Sequence, residues 1–235
     1  MIRRNWQAAM LLALGLLTGC VHQSSVPSLH RLDSGSPELP PQSQETGKGR
    51  ALLLGPLQVA DYLQREVIVQ REGDGSYSLS NQGRWAGSLQ ADVARVLLQR
   101  LAAGLQSSRV SLYPDREGLE QPAQLLLDIT RFDAGREQPA VLEARWRLLD
   151  HDGRLNGSHL LRLQQEHDGS LAGQIAAQSL LLQQMADSLL PLIQALPQPA
   201  PPRRVKQPAR RKASTAPALP QMPSVPPQGP PVYRF

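Results

Sequence analysis

Three histidines recur at intervals of eight, His151, His159 and His167, and Asp150 and Asp152 flank the first. Imidazole and carboxylate groups are zinc ligands, so a metal centre is the first chemistry this pattern offers. Yet His151 and His167 sit in Asp150-His151-Asp152-Gly153 and Glu166-His167-Asp168-Gly169, turn tetrapeptides at the two ends of one expected strand. Ligands must converge, and the ends of a strand diverge. Serines are plentiful, but none stands in a G-x-S-x-G elbow, and no G-x-x-x-x-G-K-[ST] phosphate loop is present. Carboxylates are scattered over turns and alternating strand positions. The expectation is a non-enzyme with no catalytic residue, metal or bound cofactor.

The remaining reactive side chain is the single cysteine, Cys20, which excludes an intramolecular disulfide framework and a Cys-based zinc site. Arg3 and Arg4 form a positive start, Ala8–Leu17 is a short apolar run, and small residues Thr18 and Gly19 follow. That order describes a secretory signal over 1–19. Leu17-Thr18-Gly19-Cys20 resembles a bacterial lipobox, which implies cleavage before Cys20 and a covalent diacylglyceryl plus an N-acyl lipid on it. The alternative is an ordinary signal with a coincidental cysteine. Each buried acyl CH₂ contributes about 0.8 kcal/mol, and more than one chain makes an anchor stable. Val21, in place of the aspartate that resembles an inner-membrane retention signal, points to the outer membrane with the domain facing the periplasm. Residues 20–47 are rich in Ser, Pro, Gln and Gly and read as a lipidated flexible tether. A random coil of that length reaches roughly 30 Å.

The formal net charge of +5 is unevenly placed. All 20 acids and 16 of the basic residues lie between residues 21 and 196, giving that stretch −4, whereas 197–235 carries seven positive charges and no acid. The basic character therefore belongs to the ends, and a nucleic-acid-binding domain is not expected. Residues 197–235 also hold 12 of the 21 prolines. Such a chain cannot bury a core; it reads as a disordered, Pro-rich basic tail, extended to roughly 120 Å as polyproline II.

Residues 48–196 read as the folded domain. Ala51–Leu54 predicts a buried strand stopped by Gly55-Pro56, and Glu66–Arg71 a second strand. Glu72-Gly73-Asp74-Gly75 predicts a turn into Ser76–Ser80. Ser88 is placed to cap a helix whose Leu89, Val93, Val96, Leu97, Leu101 and Leu105 form one apolar stripe. Val110–Tyr113 and Leu125–Phe132 predict strands. Leu142, Ala144, Trp146 and Leu148 alternate with Glu143, Arg145 and Arg147, a strand with one wet and one buried face. Asp152-Gly153 turns into Ser158–Gln165, and Ser170 opens a last helix with Pro191 in its final turn. The expected fold is α+β, a two-layer sandwich with a mostly antiparallel sheet and two amphipathic helices on one face, flanked by disordered segments. Trp85, expected between strand and helix, is either a core plug or a contact anchor.

Tyr62-Leu63-Gln64-Arg65-Glu66-Val67-Ile68-Val69 resembles the YLDRPQIV-type segment of PqiC-like lipoproteins, auxiliary components of ABC-type intermembrane transport systems. Arg84-Trp85-Ala86-Gly87-Ser88-Leu89 resembles their RWAEPL-type segment, and Phe132-Asp133 with the alternating strand after it resembles a third. The likeness spans roughly residues 50–195. Gln64, Glu66, Gly87 and Ser88 depart from the pattern. The resemblance implies a non-catalytic docking component that supports envelope integrity beside a periplasmic MCE-domain protein and its inner-membrane partner. It brings no active site, and a homo-oligomer is compatible with it. Tyr62, Arg65, Arg84 and Trp85 are the matched positions with a partner-binding or a structural role. The alternative function is a structural envelope lipoprotein that holds cell wall or an anionic surface through its basic tail.

Overall fold

The computed structural model describes residues 27–35 and 49–197. Cys20, the lipobox Leu17, Thr18 and Gly19, and nearly all of the tail lie outside the described residues. Eight strands and two long helices follow in the order β1 Ser28–His30, β2 Leu52–Val59, β3 Val67–Arg71, β4 Tyr77–Trp85, α1 Leu89–Leu105, β5 Val110–Leu112, β6 Ala123–Asp133, β7 Ala140–Leu149, β8 Leu155–Gln165 and α2 Leu171–Ala195. The class is the expected α+β, with two helices packed on each other and on one side of the sheets.

The sheet arrangement differs from the expected one. There are two mixed sheets, a three-stranded one in the order β1-β4-β3 and a five-stranded one in the order β5-β2-β6-β7-β8. The pairs β3/β4, β6/β7 and β7/β8 are antiparallel, as their turn residues dictate. β1/β4, β2/β5 and β2/β6 are parallel. Parallel pairing needs a crossover: that of β1/β4 runs through β2 and β3, and those of the β2 pairs run through β3, β4 and α1, connections that leave no local turn signature.

Strand β2 also runs on where a stop was expected. Gly55-Pro56 lies inside it, with a cis peptide bond, and the β2/β6 register shifts between Leu54 and Leu57. A bulge absorbs the proline, which cannot donate to a ladder. Trp85 is the last residue of β4 and not part of the connection. Helix α2 continues through Pro191 to Ala195.

Part of the segment expected to be tether belongs to the fold. β1 pairs with the end of β4, and Leu32 is buried. The Leu32 N–H donates to Asp92 Oδ2 at 2.6 Å, and Arg95 donates to the Leu32 carbonyl at 2.6 Å. The Asp33 N–H donates to Ser179 Oγ, and Gln183 donates to the Asp33 carbonyl. Residues 31–35 thus strap α1 to α2. A polar sequence hides this, because the strap is held mainly through backbone groups that every residue carries.

The core fills the space between helices and sheets: Val93, Val96, Leu97 and Leu101 of α1 and Leu181, Leu182, Met185 and Leu189 of α2, against Leu52, Leu125, Ile129, Leu142 and Leu148. Fully burying each such side chain contributes about 1.5–3 kcal/mol. Ser88 and Ser170 cap the helix starts. The Arg50 guanidinium closes the other end of α2, donating to the Gln194 and Leu196 carbonyls at 2.9 Å. The two sheets meet at Gly135, where a Cβ would strike the Arg71 carbonyl, and Arg71 N–H bonds the Ala134 carbonyl at 2.8 Å.

Candidate functional site

The three histidines are held apart. The eleven residues of β8 separate His151 from His167, a span of roughly 35 Å at the usual rise per residue. His151 stands 3.6 Å from Asp152, while the His159 ring tilts against Trp146 with centroids 6.3 Å apart. His167 is fixed by the Gln138 carbonyl and the Gly169 N–H. Among the described residues no group of three or more His, Cys, Asp or Glu is assembled that could hold a metal ion.

What the fold does assemble is a polar knot where the sheets join. Asp133 is fully buried at the end of β6. Arg131 holds it through Nε at 3.0 and 3.2 Å, with a further nitrogen 3.0 Å away. The Tyr62 hydroxyl donates to Asp133 Oδ2 at 2.7 Å and accepts from the Phe132 N–H at 3.4 Å. Tyr77 stacks on Tyr62 with centroids 4.9 Å apart, and Arg71 lies over the Tyr77 ring. Burial first, and then the Asp133 carboxylate, keep the Tyr62 phenol far above its ordinary pKa. Two of the sequence stretches that carry the resemblance, around Tyr62 and Phe132-Asp133, are therefore one contact in space. Asp133 carries no chemical signal of its own in the sequence; only its neighbour Phe132 reads as core.

The other singled-out residues separate. Trp85 is 6% exposed and sits in the core cluster. Arg65 and Arg84 are exposed, Arg84 on β4 opposite Val67 of β3.

The five-stranded sheet turns an open face outward, away from the helices, whereas the matching face of the three-stranded sheet is partly covered by Tyr62. On the five-stranded sheet this face holds an open groove of about 480 Å³ lined by Gln58, Leu126, Asp128, Arg145, Arg147 and Ser158, among others. Leu160, the register partner of Arg145, is 68% exposed at its margin. Glu143 is engaged by Arg162 at 2.5 Å and Arg131 at 3.8 Å. Among the described residues Arg145 and Arg147 have no carboxylate within ion-pair distance. Chemically this surface can receive anionic and apolar groups together.

The described residues thus form an α+β domain of two helices and two mixed sheets. Residues 31–189 match the family described as the ABC-type transport auxiliary lipoprotein component, and the chain belongs to that family. This is the PqiC-like family of the resemblance. Among solved structures, the crystal structure of an uncharacterized protein is 20% identical with a TM-score of 0.56, covering 72% of this chain and 99% of that one. A protein from Xanthomonas campestris is 18% identical with a TM-score of 0.54, covering 69% of this chain and 92% of that one. Both show the fold. No curated protein matches. No helix among the described residues is long and apolar enough to cross a membrane.

Proposed function

We propose that this protein is an outer-membrane lipoprotein, anchored through acylated Cys20, that acts as a non-catalytic docking component of an MCE-type intermembrane lipid transport system and so supports envelope integrity. The observation that carries this reading is the family match over residues 31–189, directly downstream of a lipobox-like Leu17-Thr18-Gly19-Cys20. The Arg145/Arg147 groove is the docking face for the periplasmic MCE-domain partner. Two guanidinium groups that make no ion pair among the described residues, beside an exposed leucine, suit the acidic and apolar edge of another protein.

Affinity purification of the full chain from envelope extracts tests this. Recovery of an MCE-domain protein is expected, and recovery of none from an envelope that contains one overturns the reading. The anchor is tested separately: Cys20→Ala is expected to leave the outer-membrane fraction. A second reading rests on the seven positive charges after Leu196. In it the tail holds cell wall, and sedimentation with peptidoglycan that disappears on deleting 197–235 would favour it.

A further inference from the structure

The outer face of the three-stranded sheet is chemically unlike that of the five-stranded one. Register places Leu29 beside Arg84, Arg84 beside Val67, Val69 beside Leu79, and Arg71 beside Tyr77 on one face of the sheet. Val69 is buried there and Tyr77 leans on Tyr62, whereas Leu29, Arg84 and Leu79 are open to solvent. Their alternation partners His30, Trp85, Ile68 and Gln70 turn inward, Gln70 bonding Gln174 of α2. Leu29 is 70% exposed, Leu79 57% and Tyr77 44%. Arg65 and Arg84 are exposed beside them. Of the acids at the far hairpin, Glu72 accepts from Ser78 and Asp74 from Ser76. The exposed acids near Arg65 are Asp61 and Glu66. Aliphatic, phenolic and guanidinium groups interleaved on one surface match the headgroup layer of a bilayer, where Arg and Tyr present a polar tip and an apolar body.

The position of β1 says which surface it meets. Had the whole of 20–47 been tether, the domain could stand roughly 30 Å off the membrane. Instead the sheet begins at Ser28, only eight residues from Cys20. Fully extended, eight residues span at most about 26–29 Å, and a random coil of that length averages roughly 15 Å. A domain of this size has a radius of gyration of about 15 Å. The anchor therefore holds the body within its own dimensions of the lipid. β1 is the edge strand of the three-stranded sheet, so that edge arrives first.

We infer that the outer face of the three-stranded sheet, centred on Leu29, Leu79 and Tyr77 and rimmed by Arg65 and Arg84, lies on the phospholipid surface that holds the anchor. This leaves the Arg145/Arg147 face for a protein partner. The inference rests on the lipidation of Cys20 proposed above.

The test uses the full chain in vesicles of phosphatidylethanolamine and phosphatidylglycerol. A photo-crosslinking p-benzoylphenylalanine replaces Leu29, Leu79 or Leu160 in turn, all exposed positions that tolerate it. Lipid adducts are expected at 29 and 79 and not at 160. Reversing Arg65→Glu with Arg84→Glu is expected to lower capture at 79 by about fivefold or more, since each cation near an anionic surface contributes about 1 kcal/mol. Equal capture at all three positions, or protein-only adducts at 29 and 79, overturns the inference. Intact mass of the same sample separates the two readings. A chain carrying the lipid but giving no adduct at 29 or 79 overturns the face alone; a chain without the lipid overturns the anchor and the face together.

Discussion

Strand β7 shows two faces to two environments, and the contrast organises the molecule. Leu142, Ala144 and Leu148 point under the helices and are all but closed to water. Glu143, Arg145 and Arg147, one residue away in each case, point outward into a charged surface with a groove. The covered face is governed by volume: removing atoms leaves a void that neighbours fill only in part. The open face is governed by charge in high dielectric, where a side chain hardly affects stability and its value lies in what it meets. The polar knot around Asp133 is the exception that stitches them, a carboxylate at core depth held by groups reaching in from the rim.

Three variants probe this contrast, in falling order of expected effect on stability. Phe132→Ala empties a fully buried site at the end of β6 and is expected to cost about 3–5 kcal/mol in denaturant unfolding. A cost near that of a surface change would show that the core ends before β6 does. Tyr62→Phe removes only the hydroxyl bound to Asp133 and is expected to cost about 1.5–3 kcal/mol, as for a hydrogen bond to a charged group. It also carries a pH signature. The folded phenol titrates above the unfolded one, whose pKa is about 10, so the unfolded chain releases a proton first as pH rises. The stabilisation is complete below that value and is lost above it. Unfolding curves taken through the alkaline range should slope downward for the native chain and less so for Tyr62→Phe; identical slopes would disconnect Tyr62 from the knot. Last, Arg145→Glu with Arg147→Glu is expected to change stability by no more than about 0.5 kcal/mol while abolishing recovery of the proposed MCE-domain partner. Full recovery with both charges reversed would move the docking site off this face.

Most elements are legible in the amino-acid sequence, and the reason is local. Stripe spacing marks α1, Ser88 and Ser170 mark helix starts, and alternation marks β7, because each signal needs only neighbours in sequence. The candidate surface is half legible. Arg145 and Arg147 are visible as the wet positions of β7, but not that they stand opposite Asp128 and Leu126 of β6 across one groove. Tyr62 and Phe132-Asp133 stand out as separate stretches. Their contact spans some seventy residues, and no local period reports it.

By itself, the sequence determined the α+β class and the positions of the helices. Each follows from composition, spacing or adjacency. Only the tertiary structure decided that β2 lies parallel to β5 and β6, that Asp133 is buried and answered by Tyr62 and Arg131, and that residues 28–35 belong to the body. These depend on backbone hydrogen bonds and on burial between distant segments. Every residue can make such bonds, so side-chain type alone does not encode them.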